Sequence, residues 1–268
     1  MKSGQQQLFQ RINERYDRRM YDDSIDEYYS YSGFHNFGYW TPDTQNQCEA
    51  SENLVDRLIA MLPHRNGKIL DVACGMGASA KRLLREYQPP DVTGINISDT
   101  QLASCRERAP GCQFLNMDAT RLRFPDHSFD NILCVEAVFH FDTREKFLRE
   151  AYRVLKPGGS LALSDILLRS KWINDLVERI PLANYVPNLE DYKSLYVRCG
   201  FESVRIIEAR TPCWEGFKRS RVRFTWGKAL AGLTSQFAVR RVKNEMDRWD
   251  WAIEHYLLVS ARRPRGRA

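Results

Sequence analysis

The chain has 268 residues, 43% of them hydrophobic and 28% charged, and it carries a formal net charge of +6. This length fits one large α/β domain with insertions and allows a core of ordinary size. No apolar run approaches the ~18 residues needed to cross a bilayer, and the N-terminus lacks the apolar core of a secretory signal. These features argue against membrane-spanning and secreted classes, and we expect a soluble, cytoplasmic protein.

The seven cysteines form no C-x-x-C pair, and their number is odd. This usage is typical of reduced thiols in a reducing compartment and gives no sign of a disulfide framework or a zinc site. We expect no metal site. Cys74 is predicted to be a small apolar residue packed under a glycine loop rather than a nucleophile, because no histidine is near it in the sequence.

The first quarter of the chain is predicted to be mostly helical. Residues 1–67 contain an aromatic stretch, YYSYSGFHNFGYW over 28–40, and are expected to form a helical segment and lid. From residue 68, strands and helices alternate, which predicts a doubly wound, mostly parallel α/β sheet with helices on both faces. This core, residues 68–210, is expected to contain strands at 68–74, 91–97, 112–118, 129–137, 160–167 and 201–209, and helices at 78–87, 98–110, 143–155 and 189–200.

The last part of the chain departs from this alternation. Residues 168–188 are predicted to be an insertion. The stretch 211–250 has helical periodicity and is too long for a hairpin loop, so we interpret it as a helical cap over the substrate. Residues 251–268 are expected to supply a seventh strand, able to pair with the sixth, and a basic tail.

The stretch ILDVACGMGASAKRLL, residues 69–84, has the form of a strand that ends in a glycine loop and opens a helix. Gly75, Gly77 and Ala80 fit the spacing G-x-G-x-x-G/A of dinucleotide-binding folds. Glycines at these points let the backbone approach a ligand closely. The spacing alone does not separate a dinucleotide, with its pyrophosphate, from another adenosine-bearing cofactor.

Three further features favour a cofactor without a pyrophosphate. Asp71 lies four residues before Gly75, where an acid would repel phosphate but could hold an ammonium or sulfonium group. Asp118 ends the third strand after Met117, so its carboxylate can accept from the adenine amine while the methionine covers the ring. The block from Phe129 through LKPGG into a fifth strand is long and specific.

At this point the sequence resembles a known family. The segments ILDVACGMG, VTGINIS, LNMDAT, FDNILCVEAVFHF and LREAYRVLKPGGSLALSDIL are similar to the successive motifs of class I S-adenosylmethionine-dependent methyltransferases, in the family's order and spacing. The resemblance covers residues 50–210. It implies a Rossmann-like domain that binds S-adenosylmethionine and releases S-adenosylhomocysteine.

The resemblance also implies roles for individual residues. The cofactor-binding residues would be, in chain order, Tyr39 at the methionine carboxylate; Asp71, Ala73, Gly75 and Gly77 along the methionine part; Asn96 and Gln101 at the ribose hydroxyls, with Ile97 beside them; Asp118 and Ala119 at adenine; and Glu136 and Ala137 beside the cofactor and the substrate entrance. Two positions depart from the family's pattern. It usually has Gly where this chain has Ala73, and an acid where this chain has Asn96.

His140 is the candidate catalytic base. It follows Glu136 by four residues, just after the fourth strand, where the substrate should lie. An imidazole with an unperturbed pKa near 6.5 suits general-base work at neutral pH. Asp165, at the end of the fifth strand, is the expected partner that orients the imidazole or binds a substrate hydroxyl. This arrangement looks like that of sugar and other small-molecule O-methyltransferases.

His35 is a second possible base, or a structural residue of the aromatic stretch.

Aromatic residues suggest a bulky, mostly apolar acceptor. Trp214, Phe217, Phe224 and Trp226 lie in the predicted cap, and the stretch 28–40 would face them. HNFGYW, residues 35–40, also resembles a segment of sterol, tocopherol and polyketide methyltransferases. An ordinary hydrophobic core beneath a lid would have the same composition, so the sequence leaves both interpretations open.

The sequence favours an O-methyltransferase that acts on a small molecule, a secondary metabolite such as a polyketide or a peptide-polyketide. C-methylation of an isoprenoid or sterol is the alternative. An NAD-type oxidoreductase would require an acid near position 96, and a non-catalytic protein would not need His140, Glu136 and Asp165 together. A nucleic-acid methyltransferase has one supporting feature: residues 201–268 carry 15 Lys and Arg against 7 Asp and Glu. We expect no nucleic-acid partner, because no base-methylation or RNA-binding motif is present.

Overall fold

The computed structural model describes residues 4–170 and 181–266. Part of the predicted insertion, residues 171–180, lies outside the described residues. The helices are α1 Gly4–Met20, α2 Asp23–Tyr28, α3 Gln47–Ile59, α4 Ala78–Leu83, α5 Asp99–Arg108, α6 Arg144–Val154, α7 Leu189–Arg198, α8 Gly216–Leu230 and α9 Gln236–Ala252. The strands are β1 Ile69–Val72, β2 Val92–Asn96, β3 Gln113–Asn116, β4 Phe129–Cys134, β5 Leu155–Leu168, β6 Glu202–Glu208 and β7 Ile253–Arg262. No described helix combines the length and the apolar composition that a bilayer crossing needs.

The seven strands form one sheet in the order β3-β2-β1-β4-β5-β7-β6. Strands β1 to β5 pair in parallel, whereas β7 is antiparallel to both of its neighbours, β5 and β6. Hydrophobic clusters pack on the two faces of the sheet. The predicted seven-stranded, mostly parallel, doubly wound sheet is therefore confirmed. Strand order reverses at β1, whose neighbours are β2 on one side and β4 on the other.

Several element boundaries differ from the predictions. The first core helix was expected over 78–87 but ends at Leu83 and continues as turns. The fifth strand was expected to begin at Ser160, after a turn at the Pro-Gly-Gly sequence. It begins instead at Leu155, and the register between β4 and β5 shifts there because the extra residues bulge from the ladder. The seventh strand begins at Ile253 rather than at 251, because α9 continues through Ala252.

A buried ion pair joins the helix after the fourth strand to the rest of the core. Arg144, the first residue of α6, donates to both oxygens of Asp165 on β5, at 2.7 and 3.1 Å. The same guanidinium donates to the carbonyl oxygens of Ile166 and Asn184. Tyr192 of α7 donates its hydroxyl to Asp165 at 2.8 Å. The pair therefore connects α6, β5 and α7, and Asp165 is fully buried.

Removing one partner of this pair should cost far more stability than removing an exposed pair on the same helix. We expect Asp165→Ala to lower the free energy of unfolding by about 3–5 kcal/mol, because it leaves the Arg144 charge buried without its counter-ion. The matched control is Glu145→Ala, which removes a carboxylate from the exposed pair with Arg149 and should cost about 1 kcal/mol or less. Urea unfolding of both variants measures the difference, and equal losses would contradict this assignment.

Candidate active site

A cavity of ≈ 160 Å³ lies at the carboxyl edge of the sheet, beside the point where strand order reverses. Its wall includes the glycine loop after β1 and the residues that follow β2, β3 and β4. Two parts of the N-terminal segment complete the wall: one face of α1 and residues 33–36. Crevices at such switch points are the usual ligand sites of doubly wound sheets.

The charge of the cavity decides between the two cofactor classes that the glycine loop allows. Among the described residues, the wall contains the carboxyl groups of Asp118 and Glu136 but no lysine or arginine. A pyrophosphate needs positive groups or amides to offset its two charges. A wall that carries carboxyl groups instead suits a ligand with a sulfonium and an ammonium group.

Asp71 adds a third carboxyl group beneath the loop. It is buried at the end of β1 and accepts a hydrogen bond of 2.6 Å from the hydroxyl of Ser79, which itself lines the cavity. Burial raises the pKa of Asp71 to about 7, and the bond from Ser79 opposes this rise. Its side chain is separated from the cavity by Ser79, so Asp71 would act on the ligand through that residue or through its charge.

The loop residues Ala73 and Gly75 line the cavity, whereas Gly77 does not. Gly77 has a φ of +85°, and a Cβ at this position would lie 2.8 Å from the Cα of Cys105. Its lack of a side chain therefore serves the packing of α4 against α5. Cys74 is buried in the loop with its Sγ 3.8 Å from that of Cys105.

Residues at the end of β2 form a hydrogen-bonded cluster. Asn96, Ile97 and Gln101 all line the cavity. The Asn96 amide donates to the side-chain oxygen of Gln101 at 2.8 Å and to the carbonyl of Gly75 at 3.2 Å. Gln101 donates in turn to Asp17 of α1 at 2.7 Å. The side chains predicted to meet the ribose are thus brought together and held in place by a helix outside the core.

The end of β3 supplies the position predicted for adenine. Asp118 and Ala119 line the cavity, as does the buried Met117 beside them. Asp118 accepts hydrogen bonds from the backbone and the hydroxyl of Thr120, at 2.8 and 2.9 Å. These bonds orient the carboxylate at the end of the strand.

Glu136 and Ala137 line the cavity where β4 ends. One carboxylate oxygen of Glu136 accepts hydrogen bonds from the backbone of Phe37, at 2.9 Å, and from the hydroxyl of Tyr256, at 2.7 Å. Burial raises the pKa of Glu136 to about 7, and these two donors oppose the rise. A carboxyl group that titrates near neutral pH inside the cavity is available for proton transfer.

His140 occupies a short helical turn after β4 and also lines the cavity. Its Nε2 lies 2.6 Å from the hydroxyl oxygen of Tyr16 on α1. Burial lowers the pKa of His140 to about 3, so the imidazole is neutral at physiological pH. Burial raises the pKa of Tyr16 to about 12, so the phenol keeps its proton.

Helix α1 carries the site residues that the sequence did not single out. Ile12, Asn13, Tyr16 and Met20 line the cavity, and their spacing of three or four residues places them on one helix face. Asn13 donates to the carbonyl of Ile97 at 2.8 Å. The spacing of residues 12, 13, 16 and 20 indicates a common helix face. No pattern in the sequence shows that this face packs against residues more than 80 positions away.

Besides Asp71 and Gly77, two further predicted site residues do not line the cavity, Tyr39 and Asp165. Tyr39 is placed against α3: its backbone N–H donates to the carbonyl of Ala50, and the Arg57 guanidinium lies 5.0 Å from its ring centre. Asp165, expected to orient His140 or to bind a substrate hydroxyl, bonds to other core residues in this structure. Both of its oxygens are taken by Arg144 and Tyr192, and it is not part of the cavity wall.

The aromatic residues of 211–250 also differ from the expected wall. The segment is helical, as predicted, but within the described residues none of its rings lines the cavity. Trp214 and Phe217 are buried against Phe37, and Trp226 is 45% exposed. The cavity is covered by α1 instead.

Some of the basic side chains of the C-terminal part make contacts within the fold. Arg210 pairs with Glu215 and Asp250, and Arg262 pairs with Glu202. Arg263 donates to carbonyl oxygens at the end of α6.

Comparison with known proteins agrees with this site. Residues 70–163 match the family model described as "Methyltransferase domain". An O-methyltransferase of Aspergillus nomiae is 30% identical over 192 residues, which cover 67% of this chain and 85% of that protein. The chain belongs to the class I S-adenosylmethionine-dependent methyltransferases. S-adenosylmethionine is therefore the cofactor, and the carboxyl groups of the cavity wall fit its positive charges.

Two further relatives of this methyltransferase act, by their names, on natural products. It is 41% identical over 138 residues to the 27-O-demethylrifamycin SV methyltransferase of Amycolatopsis mediterranei, a match that spans half of each chain. It is 29% identical over 263 residues to the erythromycin 3''-O-methyltransferase of Saccharopolyspora erythraea, covering 85% of this chain and 83% of that protein.

Solved structures with the same fold include enzymes of different kinds. The cyclopropane synthase MmaA2 of Mycobacterium tuberculosis is 17% identical to this chain, with a TM-score of 0.75 over 95% of this chain and 98% of that one. The cyclase SpnF is 22% identical with a TM-score of 0.73, over 96% and 97%. The fold alone therefore does not determine the reaction.

The acidic cavity of the methyltransferase predicts how cofactor affinity depends on pH. Asp71 and Glu136 have pKa values near 7 in the ligand-free protein, so both are mostly protonated at pH 6 and mostly charged at pH 8. Because the charged carboxylates favour the sulfonium, affinity for S-adenosylmethionine should rise about tenfold across this range. Calorimetric titration at pH 6, 7 and 8 measures the change.

S-adenosylhomocysteine, which lacks the sulfonium charge, is the matched control and should show a smaller rise. Asp71→Asn, which keeps an acceptor for Ser79, should flatten the pH dependence for S-adenosylmethionine. The same pH dependence for both ligands would contradict the electrostatic account.

Proposed function

We propose that this methyltransferase transfers a methyl group to a hydroxyl of a bulky, largely apolar small molecule, a secondary metabolite such as a polyketide or a peptide-polyketide, with His140 as general base. The observation that carries the proposal is the contact between His140 Nε2 and the Tyr16 hydroxyl, 2.6 Å apart inside the cofactor cavity. A hydroxyl thus already fits at hydrogen-bond distance from a neutral imidazole. The names of the natural-product relatives support the acceptor class.

Methyl transfer is an in-line displacement at carbon, so alignment and exclusion of water are the main demands on the protein. When bound, the cofactor supplies a methyl group that is activated by its sulfonium. The acceptor hydroxyl would take the position of the Tyr16 hydroxyl beside His140, which requires the Tyr16 side chain to move aside. Phe34, Val135 and Phe141 give the same wall an apolar part, which suits an acceptor with a hydrocarbon frame.

The acceptor proton has two possible destinations in the cavity. His140 is neutral and can accept a proton, but burial holds its pKa at about 3, which weakens it as a base. The pKa of Glu136, about 7, is better matched to proton transfer at neutral pH. We propose His140 because it already contacts a hydroxyl, whereas Glu136 is the base to be tested against it.

Substitution of His140 separates catalysis from cofactor binding. We expect His140→Ala to lower kcat about 10²- to 10⁴-fold, the range for loss of a general base, while the Kd for S-adenosylhomocysteine changes little. Tyr16→Phe is the control, because it removes the neighbouring hydroxyl but leaves the imidazole, and it should retain most turnover. Unchanged kcat in His140→Ala would refute the base assignment.

The pH dependence of kcat distinguishes the two candidate bases. With S-adenosylmethionine saturating, turnover through His140 should be nearly flat between pH 5 and 9, because the imidazole is neutral throughout. Turnover through Glu136 should rise with a midpoint near pH 7 and collapse in Glu136→Gln. If kcat rises with a midpoint near pH 7 and is lost in Glu136→Gln, the general base is Glu136 rather than His140.

C-methylation of an isoprenoid or sterol-like acceptor is the second candidate. The buried carboxyl of Glu136 beside Phe37 is an arrangement that can offset a positive charge on carbon and then accept a proton. A mass-spectrometric screen of candidate acceptors detects either reaction by the same mass gain. The ¹³C chemical shift of the transferred methyl distinguishes a methyl ether from a carbon-bound methyl.

A further inference from the structure

A cluster of buried side-chain atoms without hydrogen-bond partners lies in the N-terminal segment. Within residues 4–170 and 181–266, the buried side-chain nitrogen and oxygen atoms that lack a partner are Asp26 Oδ1, both ring nitrogens of His35 and Asn36 Oδ1. All belong to one stretch of eleven residues. Leaving such an atom unsatisfied costs about 1–3 kcal/mol, so four of them in one place need an explanation.

The cluster borders the cofactor cavity. His35 and Asn36 are part of its wall, and the His35 side chain is only 2% exposed. Asp26 lies behind the imidazole: its Oδ1 is 4.0 Å from His35 Nε2, too far for a hydrogen bond. The imidazole is tilted over the ring of Tyr29, with 4.8 Å between ring centres. The ring is therefore fixed by packing while its nitrogens remain available.

The chemistry of the cluster matches a ligand that donates hydrogen bonds. Asp26 and Asn36 present oxygen acceptors. Burial and the charges of Arg19 and Arg108 lower the pKa of His35 to about 3, so the imidazole is neutral and has one nitrogen lone pair. The cluster thus offers two acceptor groups at the cavity wall, His35 and Asn36, with the carboxyl group of Asp26 behind them. An ammonium group has three donors and one positive charge.

The position of the cluster favours the methionine end of the cofactor. Arg108 joins this segment to the glycine loop, because its guanidinium donates to the carbonyls of Ser32 and Met76, at 2.9 and 3.1 Å. A Cβ at Gly75 would lie 3.9 Å from the terminal methyl of Met20 on α1. Residues 33–36 and the glycine loop therefore form adjoining parts of one wall.

We propose that His35 and Asn36, with Asp26 behind the imidazole, bind the α-ammonium group of the cofactor's methionine moiety. Asp26 supplies a negative charge 4.0 Å from the ring, and the imidazole and the Asn36 amide oxygen accept hydrogen bonds from the ammonium group. This assignment concerns cofactor binding and does not rest on the identity of the acceptor or of the base.

The proposal predicts opposite effects on the free protein and on the complex. His35→Phe keeps an aromatic ring against Tyr29 but removes both unpaired nitrogens. The thermal midpoint of the ligand-free variant should stay the same or rise, because unsatisfied polar atoms are removed. Its affinity for S-adenosylhomocysteine should fall about tenfold or more, because bonds to a charged group are lost. A purely structural histidine would lower the midpoint instead.

A second ligand shows which part of the cofactor the cluster binds. 5'-Methylthioadenosine has the same nucleoside and sulfur but no amino-acid part. Calorimetry should give the same Kd for this ligand, within about twofold by the scatter of surface substitutions, in wild type, His35→Phe and Asp26→Asn. Asp26→Asn should also weaken S-adenosylhomocysteine. Asp23→Asn, the same change at an exposed position of α2, is the matched control and should alter neither ligand.

Each result decides the proposal. Selective loss of S-adenosylhomocysteine affinity in both cluster variants supports it. Equal weakening of both ligands overturns it, since the cluster would then only support the fold of the cavity. Unchanged affinity for S-adenosylhomocysteine also overturns it, and a raised KM for the methyl acceptor in that case would assign the cluster to an acceptor hydroxyl.

Discussion

The reversal of strand order beside β1 is the constraint on which the whole site depends. It leaves the carboxyl ends of β1, β2 and β4 side by side, with no crossover helix over the crevice between them. The short segments after these strands converge there, and each contributes a different chemical group: a glycine loop, a pair of amides and a carboxyl group. Because the strands are buried and parallel, their register determines how far each of these segments reaches.

The charge of this crevice suits a positively charged cofactor. Asp71, Asp118 and Glu136 are acidic groups in or beneath a wall that, over the described ranges, has no lysine or arginine. Burial raises the pKa values of Asp71 and Glu136 toward neutrality. These carboxyl groups are therefore costly to ionise in the free protein, and a bound cation offsets that cost.

Helix α1 connects the cofactor site with the proposed catalytic base. Its face contacts Ile97 through Asn13, His140 through Tyr16 and Gln101 through Asp17. One helix thus orders residues that follow two different strands. Docking of this helix is expected to complete the ribose site and to exclude water from the imidazole at the same time, which couples cofactor binding to readiness for catalysis.

The sequence by itself determined the sheet and indicated the cofactor class and the strand-end part of the wall, because those features depend on local patterns: buried strands, a glycine loop and polar residues at strand ends. The tertiary structure decided which side chains share the cavity. Asp165 is taken by Arg144, Tyr39 packs against α3, and the aromatic rings of 211–250 join the core, whereas Tyr16 reaches His140 across 124 positions. Such contacts depend on how helices dock over the sheet, and helix periodicity reveals a face without revealing what it will meet.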